Sequence, residues 1–415
     1  MQAKLRHDAD IILRQAIQHV LPDTAVRQTL TGRTFPGRVI LLAVGKAAWQ
    51  MAKAAADCLG TQLTCGIVIT KYGHVPGPLP RIECYEAGHP IPDAHSFAAT
   101  EAAIQAVQGL HEKDTVVFLL SGGGSALFEK PKIPGEELQN ITRQLMACGA
   151  DIVEVNTIRK RLSCVKGGQL AHLCAPAHVL SIILSDILGD PLDMIASGPT
   201  VADTSTCEQA LAIAEKYSLK MSAAAHACLQ QETPKSLSGT ETYVNGSVKE
   251  LCAGAAQACR ALGYEPFILT DRLSCQAKEA GRFLGSIART HCMDGKRLAF
   301  IAGGETVVLL TGQGLGGRNQ ELALAAAREI SGIANVCVFS AGSDGTDGPT
   351  DAAGGYADGD TEEALRMAGR TIDEVLRDND AYHALEKTNG LLFTGPTGTN
   401  VNDVAVVLIT PPDAP

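Results

Sequence analysis

Apolar runs alternate with helix-like stretches almost from one end of the chain to the other. "RVILLAVG" precedes "KAAWQMAKAAADCL", "CGIVITK" follows, and "FAATEAAIQAVQGL" leads into "DTVVFLLSGGG". Further along come "HVLSIILSD", "EPFILTD", "RLAFIAGGET", "NVCVFSAGSD" and "VNDVAVVLIT". Unbroken Val/Ile/Leu runs separated by helices predict parallel strands buried on both faces. The fold class expected is α/β. Nearly every run ends in Gly, Ser, Thr or Asp. Open α/β sheets bind ligands outside the carboxyl ends of their strands, so polar chemistry stands where a site is expected. The polar segment Gln230 to Gly246, "QQETPKSLSGTETYVNG", shows neither helical nor strand period. It predicts a boundary between two domains, residues 1–238 and 239–415.

Composition sharpens this picture. A chain of 415 residues with 45% hydrophobic content can build two cores, since single cores stop growing near ~250–300 residues. The formal net charge of −10 argues against nucleic acid or an anionic membrane as the main partner. Any bound anion must be held by local groups. The thirteen cysteines are scattered, odd in number and without CxxC, which predicts reduced thiols, no zinc site and a cytoplasmic protein. The amphipathic N-terminal segment is no signal peptide, and no apolar run nears the ~20 residues of a membrane span.

Several polar stretches carry candidate chemistry, each with an ordinary structural alternative. Lys46 follows Gly45 at a strand-to-helix junction, where the helix dipole disfavours a cation unless an anion binds beside it. Ser121, Gly122, Gly123, Gly124 and Ser125 can turn consecutive amides into one concavity, a nest for phosphate or carboxylate oxygens. Arg159, Lys160, Arg161 and Lys166 concentrate positive charge in an acidic chain, for an anion or as a solvated helix face. Asp186 ends a strand and could act as a general base, bind magnesium or cap a turn; Asp190 and Asp193 follow it. Gly312, Gly314 and Gly317 satisfy GxGxxG, which would suit a dinucleotide, yet the acidic residue of that fingerprint is misplaced. Arg318, next to Gly314, Gly316 and Gly317, favours a transferring phosphoryl group or a carboxylate; its alternative is packing against Glu321. The stretch "SAGSDGTDGPTDAAGG" offers Asp344 and Asp347 for a metal, with Asp351 as a cap, although its spacing is not that of an EF-hand. The Gly/Thr loop "FTGPTGTN" could bind a polar ligand or be a plain series of turns.

Taken together, "AVGKAAWQMA", "SGGGSALFEKP", "NTIRKRLSCVKGGQLA", "SDILGDPLDMIASGPTVAD", "GGETVVLLTGQGLGGRNQELALAAA", "SAGSDGTDGPTDAAGG" and "TGPTGTNVND" resemble the class II glycerate kinases, glycerate 2-kinases with a C-terminal MOFRL domain. The likeness runs from about residue 7 to 410. It implies a larger Rossmann-like N-terminal domain, a smaller α/β C-terminal domain and a site in the cleft between them. It implies ATP-dependent phosphorylation of D-glycerate, mainly to 2-phosphoglycerate, with a divalent metal such as Mg2+. Lys46 and Arg318 match the family's active-site lysine and arginine. On this reading those two cations meet the transferring phosphoryl group, the Ser121–Ser125 loop holds an anion, and Asp186 accepts the hydroxyl proton or binds magnesium. A homodimer is compatible with all of this. Two rival readings stand beside it: an NAD(P)H-dependent hydroxypyruvate reductase, resting on the literal GxGxxG, and a non-catalytic sugar-phosphate sensor.

Overall fold

The computed structural model describes residues 2–411. Its chain divides into two units: residues 25–185 with 190–245, and residues 2–24, 186–189 and 246–411.

The first unit is built on a six-stranded sheet of β1 (Val39–Val44), β2 (Leu63–Lys71), β3 (Ile82–Ala87), β4 (Thr115–Leu120), β5 (His178–Leu184) and β6 (Thr240–Gly246). The spatial order is β3-β2-β1-β4-β5-β6. The β1–β2, β2–β3, β1–β4 and β4–β5 pairings are all parallel. β1 and β4 are buried along their whole length, as the unbroken apolar runs require. The chain leaves β1 toward β2 and β3, then returns on the other side of β1 as β4. The order therefore reverses between β1 and β4, the crevice where doubly wound sheets bind ligands. Lys46 and the Ser121–Ser125 loop are the residues leaving those two strands.

The second unit carries β7 (Glu265–Leu273), β8 (Leu298–Gly304), β9 (Val336–Gly342), β10 (Gly354–Asp358), β11 (Leu391–Leu392) and β12 (Asp403–Ile409), in the order β11-β10-β9-β12-β8-β7. The apolar runs here predict parallel strands, but only β7 and β8 pair that way. β12 runs antiparallel to both β8 and β9, and β10 antiparallel to β9. Burial on both faces, not strand direction, explains the runs. Val404, Val406 and Leu408 of β12 face helices Gln2–His19 and Val248–Ala261, while Ala405, Val407 and Ile409 face helices Ala277–His291 and Arg318–Glu329. Two-sided cover makes every position apolar whichever way a strand points.

The expected boundary segment is not featureless. Its last residues, Thr240–Gly246, form β6, which is half-buried and so has no apolar run. A cut at 238/239 also leaves residues 2–24 with the first unit, whereas they group with the second. Buried Asp8 explains the attachment: it accepts from the Tyr264 hydroxyl at 2.8 Å and from Arg297 Nη2 at 3.2 Å. Arg6 adds donors to the carbonyls of Asn389 and Leu391.

Helices Ala277–His291 and Arg318–Glu329 meet through small residues. A Cβ on Gly281 would lie 2.1 Å from the Leu322 carbonyl oxygen. Overpacking of this kind costs about 1–3 kcal/mol. Gly281→Ala should lower the unfolding free energy by that amount in chemical denaturation; an unchanged value would show that the helices can separate freely.

Candidate functional site

At the end of β1 the Gly45 backbone adopts φ 118, and a Cβ there would strike the Ser121 hydroxyl at 2.3 Å. The two loops are sewn together at this close approach. Ser121 N donates to Val44 O, Lys46 N donates to Gly122 O, and Ala47 N donates to the Ser121 hydroxyl oxygen. Ser121 is thus buried and serves the fold through its side chain. Lys46 is exposed, and its ammonium has no hydrogen bond or ion pair among the described residues. Gly123 sits against Lys46 and His89: a Cβ there would be 3.0 Å from the imidazole and 3.4 Å from Lys46 Cγ. His89 is a neighbour that the sequence gave no reason to single out. Among the described residues no acceptor takes the amides of Gly122, Gly123, Gly124 or Ser125. An uncompensated lysine beside four open amides has the charge and the donors that binding an anion requires.

The basic cluster lies behind this loop, not on a solvated face. Arg159 Nη2 and Lys166 Nζ both donate to the Ser125 carbonyl, at 2.9 and 3.0 Å, and Lys166 also donates to Phe128 O at 2.9 Å. Glu129, fully buried, lies 3.7 Å from Arg159 and 3.6 Å from Lys166. Burial brings the Lys166 ammonium down to about 8, with Glu129 opposing and Arg159 assisting that shift. Lys160 pairs with Asp193 at 3.3 Å and Asp203 at 3.1 Å, and buried Arg161 lies 3.7 Å from Asp203. These cations brace the loop and the segment behind it. That segment, "IASGPT", holds Ala196 and Ser197 at φ 48 and 61, with the Ser197 hydroxyl donating to Asn156 at 2.8 Å. A left-handed alanine is costly and is kept only where its surroundings over-determine it. Ala196 packs against Gly124, where a Cβ would come within 3.0 Å of it. Asp186 lies two residues beyond the end of β5 at Leu184 and groups with the second unit. Its carbonyl accepts from Asn402 Nδ2 at 3.3 Å.

The second unit has its own glycine-rich loop, and its amides are spoken for. Thr311 N and Gly312 N donate to Asn379 Oδ1, Gln313 N to Asp378 Oδ1, Gly314 N to Asp378 O and Leu315 N to Asp380 Oδ1. Gly314 therefore has no amide to offer an anion. Gly316 and Gly317 line a cleft of about 790 Å³ together with Arg318. The GxGxxG match lacks its structural context as well. A dinucleotide fingerprint needs a tight strand-to-helix turn within a parallel βαβ unit. Here β8 ends at Gly304, the helix begins at Arg318, and antiparallel β12 lies between β8 and β9.

Arg318 does not pack on Glu321. Its Nε and Nη2 grip Asp403 at 2.5 and 3.0 Å, and its Nη1 donates to Glu305 at 2.9 Å. Burial works against the guanidinium charge, yet the Asp403 hydrogen bonds raise its pKa further. Burial pushes the Asp403 carboxyl up and Arg318 pulls it back; the two-point geometry keeps the pair ionic. Glu305 and Asp403 sit inside the quoted motifs, but only the sheet register, with Asp403 opposite Gly304 and Gly342, reveals them as partners of Arg318.

Asp347 caps the Arg318 helix from a distant loop. It accepts from Asn319 N at 3.1 Å, Gln320 N at 2.8 Å and Asn319 Nδ2 at 3.2 Å. Gly317 makes this possible, since a Cβ there would be 2.2 Å from the Asp347 carboxyl carbon. Asp344 turns Oδ1 to Thr346 N at 3.0 Å, and Asp351 accepts from the Tyr382 hydroxyl at 2.7 Å. Asp347 faces N–H donors with both oxygens, so the pair does not fit a magnesium ion. Among the described residues no group of three His, Cys, Asp or Glu is placed to hold a metal. The Gly/Thr loop is structural: Thr397 donates to Ser343 O and Thr399 to Val20 O.

Burial raises the Asp347 carboxyl to about 6 against the pull of its amide donors. The folded chain then holds this proton more tightly than the unfolded chain does, where an aspartate titrates near ~3.9. Stability must therefore fall as pH rises from about 4 to about 6 and level off above. Asp347→Asn lacks this proton. The variant's stability relative to the parent should climb by about 2–3 kcal/mol between pH 4 and pH 7 in urea unfolding. A difference independent of pH would refute the burial argument.

Comparison with known proteins agrees with this architecture. Residues 8–230 match a family model described as a domain of unknown function, DUF4147, and residues 298–403 match the MOFRL family. A D-glycerate 2-kinase of Thermotoga maritima is 50% identical, over 96% of this chain and 97% of its own. A protein of Agrobacterium vitis described as a putative hydroxypyruvate reductase is 39% identical, over 96% of this chain and 95% of its own. A crystal structure of glycerate kinase from Thermotoga maritima superposes with a TM-score of 0.94 at 49% identity, covering 98% of this chain and all of that one. The chain, which matches DUF4147 and MOFRL in turn, belongs to the glycerate 2-kinase family.

Proposed function

We propose that this protein catalyses ATP-dependent phosphorylation of D-glycerate at the 2-hydroxyl. The observation that carries the reading is the exposed, unpaired Lys46 beside the four open amides of Gly122–Ser125. Relatives named glycerate 2-kinase at 50% and 41% identity support it over nearly the whole chain.

Phosphoryl transfer asks the protein to position two oxygens and neutralise charge. Lys46 is assigned to the transferring phosphoryl group, and the Gly122–Ser125 amides to anionic oxygens of the substrates. Arg318 is the second cation of the reaction. Asp403 and Glu305 fix its direction, so its charge is preorganised. Asp186 is assigned as acceptor of the glycerate hydroxyl proton. Arg159, with Lys166, acts behind the loop by holding the Ser125 carbonyl. Magnesium belongs to this reading as a counter-ion of the nucleotide's own phosphates, not as an ion caged by Asp344 and Asp347. The reductase reading loses its support with the glycine loop, whose amides are taken by Asp378–Asp380. Thirteen unpaired cysteines favour a reducing, cytoplasmic setting, and no described helix is long and apolar enough to cross a membrane.

Lys46→Ala should lower kcat for ATP-dependent glycerate phosphorylation by ~100-fold or more, with unfolding unchanged because the side chain is exposed. Arg318→Lys keeps the charge but breaks the two-point grip, and should cost ~10-fold or more. Near-normal turnover in both would defeat the assignment. NMR of the product tests the 2-hydroxyl, and consumption of NADH with hydroxypyruvate would favour the reductase instead.

A further inference from the structure

The cleft of about 790 Å³ lies wholly within the second unit. Its wall includes Leu188, Val307, Val308, Leu310 and Pro349. Val307 and Leu310 are 56% and 79% exposed, and neighbouring Leu309 is 58% exposed. A contiguous apolar stretch left open to water marks a surface meant to be covered. Polar groups converge on it sparingly. The Thr306 hydroxyl is buried and has no partner among the described residues. Glu321 lies at 4% exposure with one oxygen accepting from Asn379 Nδ2 at 3.3 Å, and burial raises its carboxyl.

Charge decides which part of a ligand belongs here. Arg318 is the cation of the cleft, and Glu305 and Asp403 already compensate it. Glu305 and Glu321 add negative potential to the lining. The Thr311–Leu315 amides, which could have cradled phosphate, are held by Asp378–Asp380. A polyphosphate is therefore unsuited to the body of the cleft, whereas an uncharged, flat, partly apolar group with a few hydrogen-bonding edges suits it. Glycerate, a three-carbon acid, has neither the size nor the apolar surface. Pockets of ~300–1,000 Å³ with apolar walls and few polar anchors are usual for small-molecule and cofactor ligands in general, a class that includes nucleosides.

We infer that this cleft binds the purine nucleoside end of the nucleotide, with the base on the Val307–Leu310 wall and its edge toward Thr306 and Glu321. The identity of the ligand rests on the kinase reading; the place of binding is tested independently of turnover. The probe is ADP, titrated calorimetrically into the full-length protein and into Leu310→Asp, a change at an exposed position that should not disturb folding. The variant should bind ADP at least tenfold more weakly, and its KM for ATP should rise by a similar factor while that for glycerate does not. Adenosine should compete with ADP in the parent protein and inorganic tripolyphosphate should not displace adenosine. Phe283→Asp, on an exposed face outside the cleft, should leave ADP affinity unchanged. ADP affinity in Leu310→Asp within twofold of the parent would overturn the inference, as would a change of oligomeric state in that variant with ADP binding intact. Failure of glycerate turnover with ADP binding still lost in Leu310→Asp would instead remove the kinase reading and leave the cleft as a nucleotide site.

Discussion

A backbone N–H must find an acceptor somewhere, and this chain meets that demand in opposite ways at its two glycine-rich loops. In the loop after β4, glycine lets four consecutive amides remain unengaged beside an unpaired lysine. In the loop after β8, the same residue type lets the backbone press onto Asp378, Asn379 and Asp380, which absorb its amides. A Cβ on Gly312 or Gly314 would lie 2.3 or 2.4 Å from that segment. One loop therefore leaves its amides open, and the other spends them on its own fold. Glycine spacing does not distinguish them; only the location of the acceptor does.

That difference marks how far the sequence could be read. The doubly wound sheet was legible because β1, β4 and β5 are covered on both faces and their carboxyl ends carry the turn chemistry. The same rule misled for β12, whose apolar run looks parallel but is antiparallel. β6 and β3 were missed because edge strands need no apolar face. Lys46 and the Ser121–Ser125 loop were legible from local spacing. The grip of Asp403 on Arg318 was not, because 85 residues separate the two. Asp347 looked like a ligand and is a cap, joined across 28 residues to Asn319. Contacts made through sheet register leave no local pattern to read.

Charge is handled differently in the two units. In the first, cations are buried behind the open loop: Lys166 and Arg159 hold a carbonyl, and Glu129 balances them at 3.6–3.7 Å. Breaking such a buried set by removing one partner costs more than the set contributes, so its value lies in fixing one geometry. In the second, carboxylates surround a single guanidinium, so the local potential is not positive. In a chain of net charge −10, Lys46 thus stands without an ion pair beside the open amides, whereas Glu305 and Asp403 balance the charge of Arg318.

Under the proposed function this asymmetry would divide the work of the two cations. A lysine on a flexible stem can follow a phosphoryl group as it moves, at the cost of ordering entropy. An arginine clamped by two carboxylates cannot move without leaving Asp403, which is 6% exposed, unpaired. In the proposed reaction its contribution would come from where it already points. Preorganised charge of that kind requires no reorganisation during the reaction, which is the condition under which electrostatic stabilisation is largest. The Asp347 cap adds to the same end. By fixing the first turn of the helix that begins at Arg318, it sets the direction in which the guanidinium leaves the backbone.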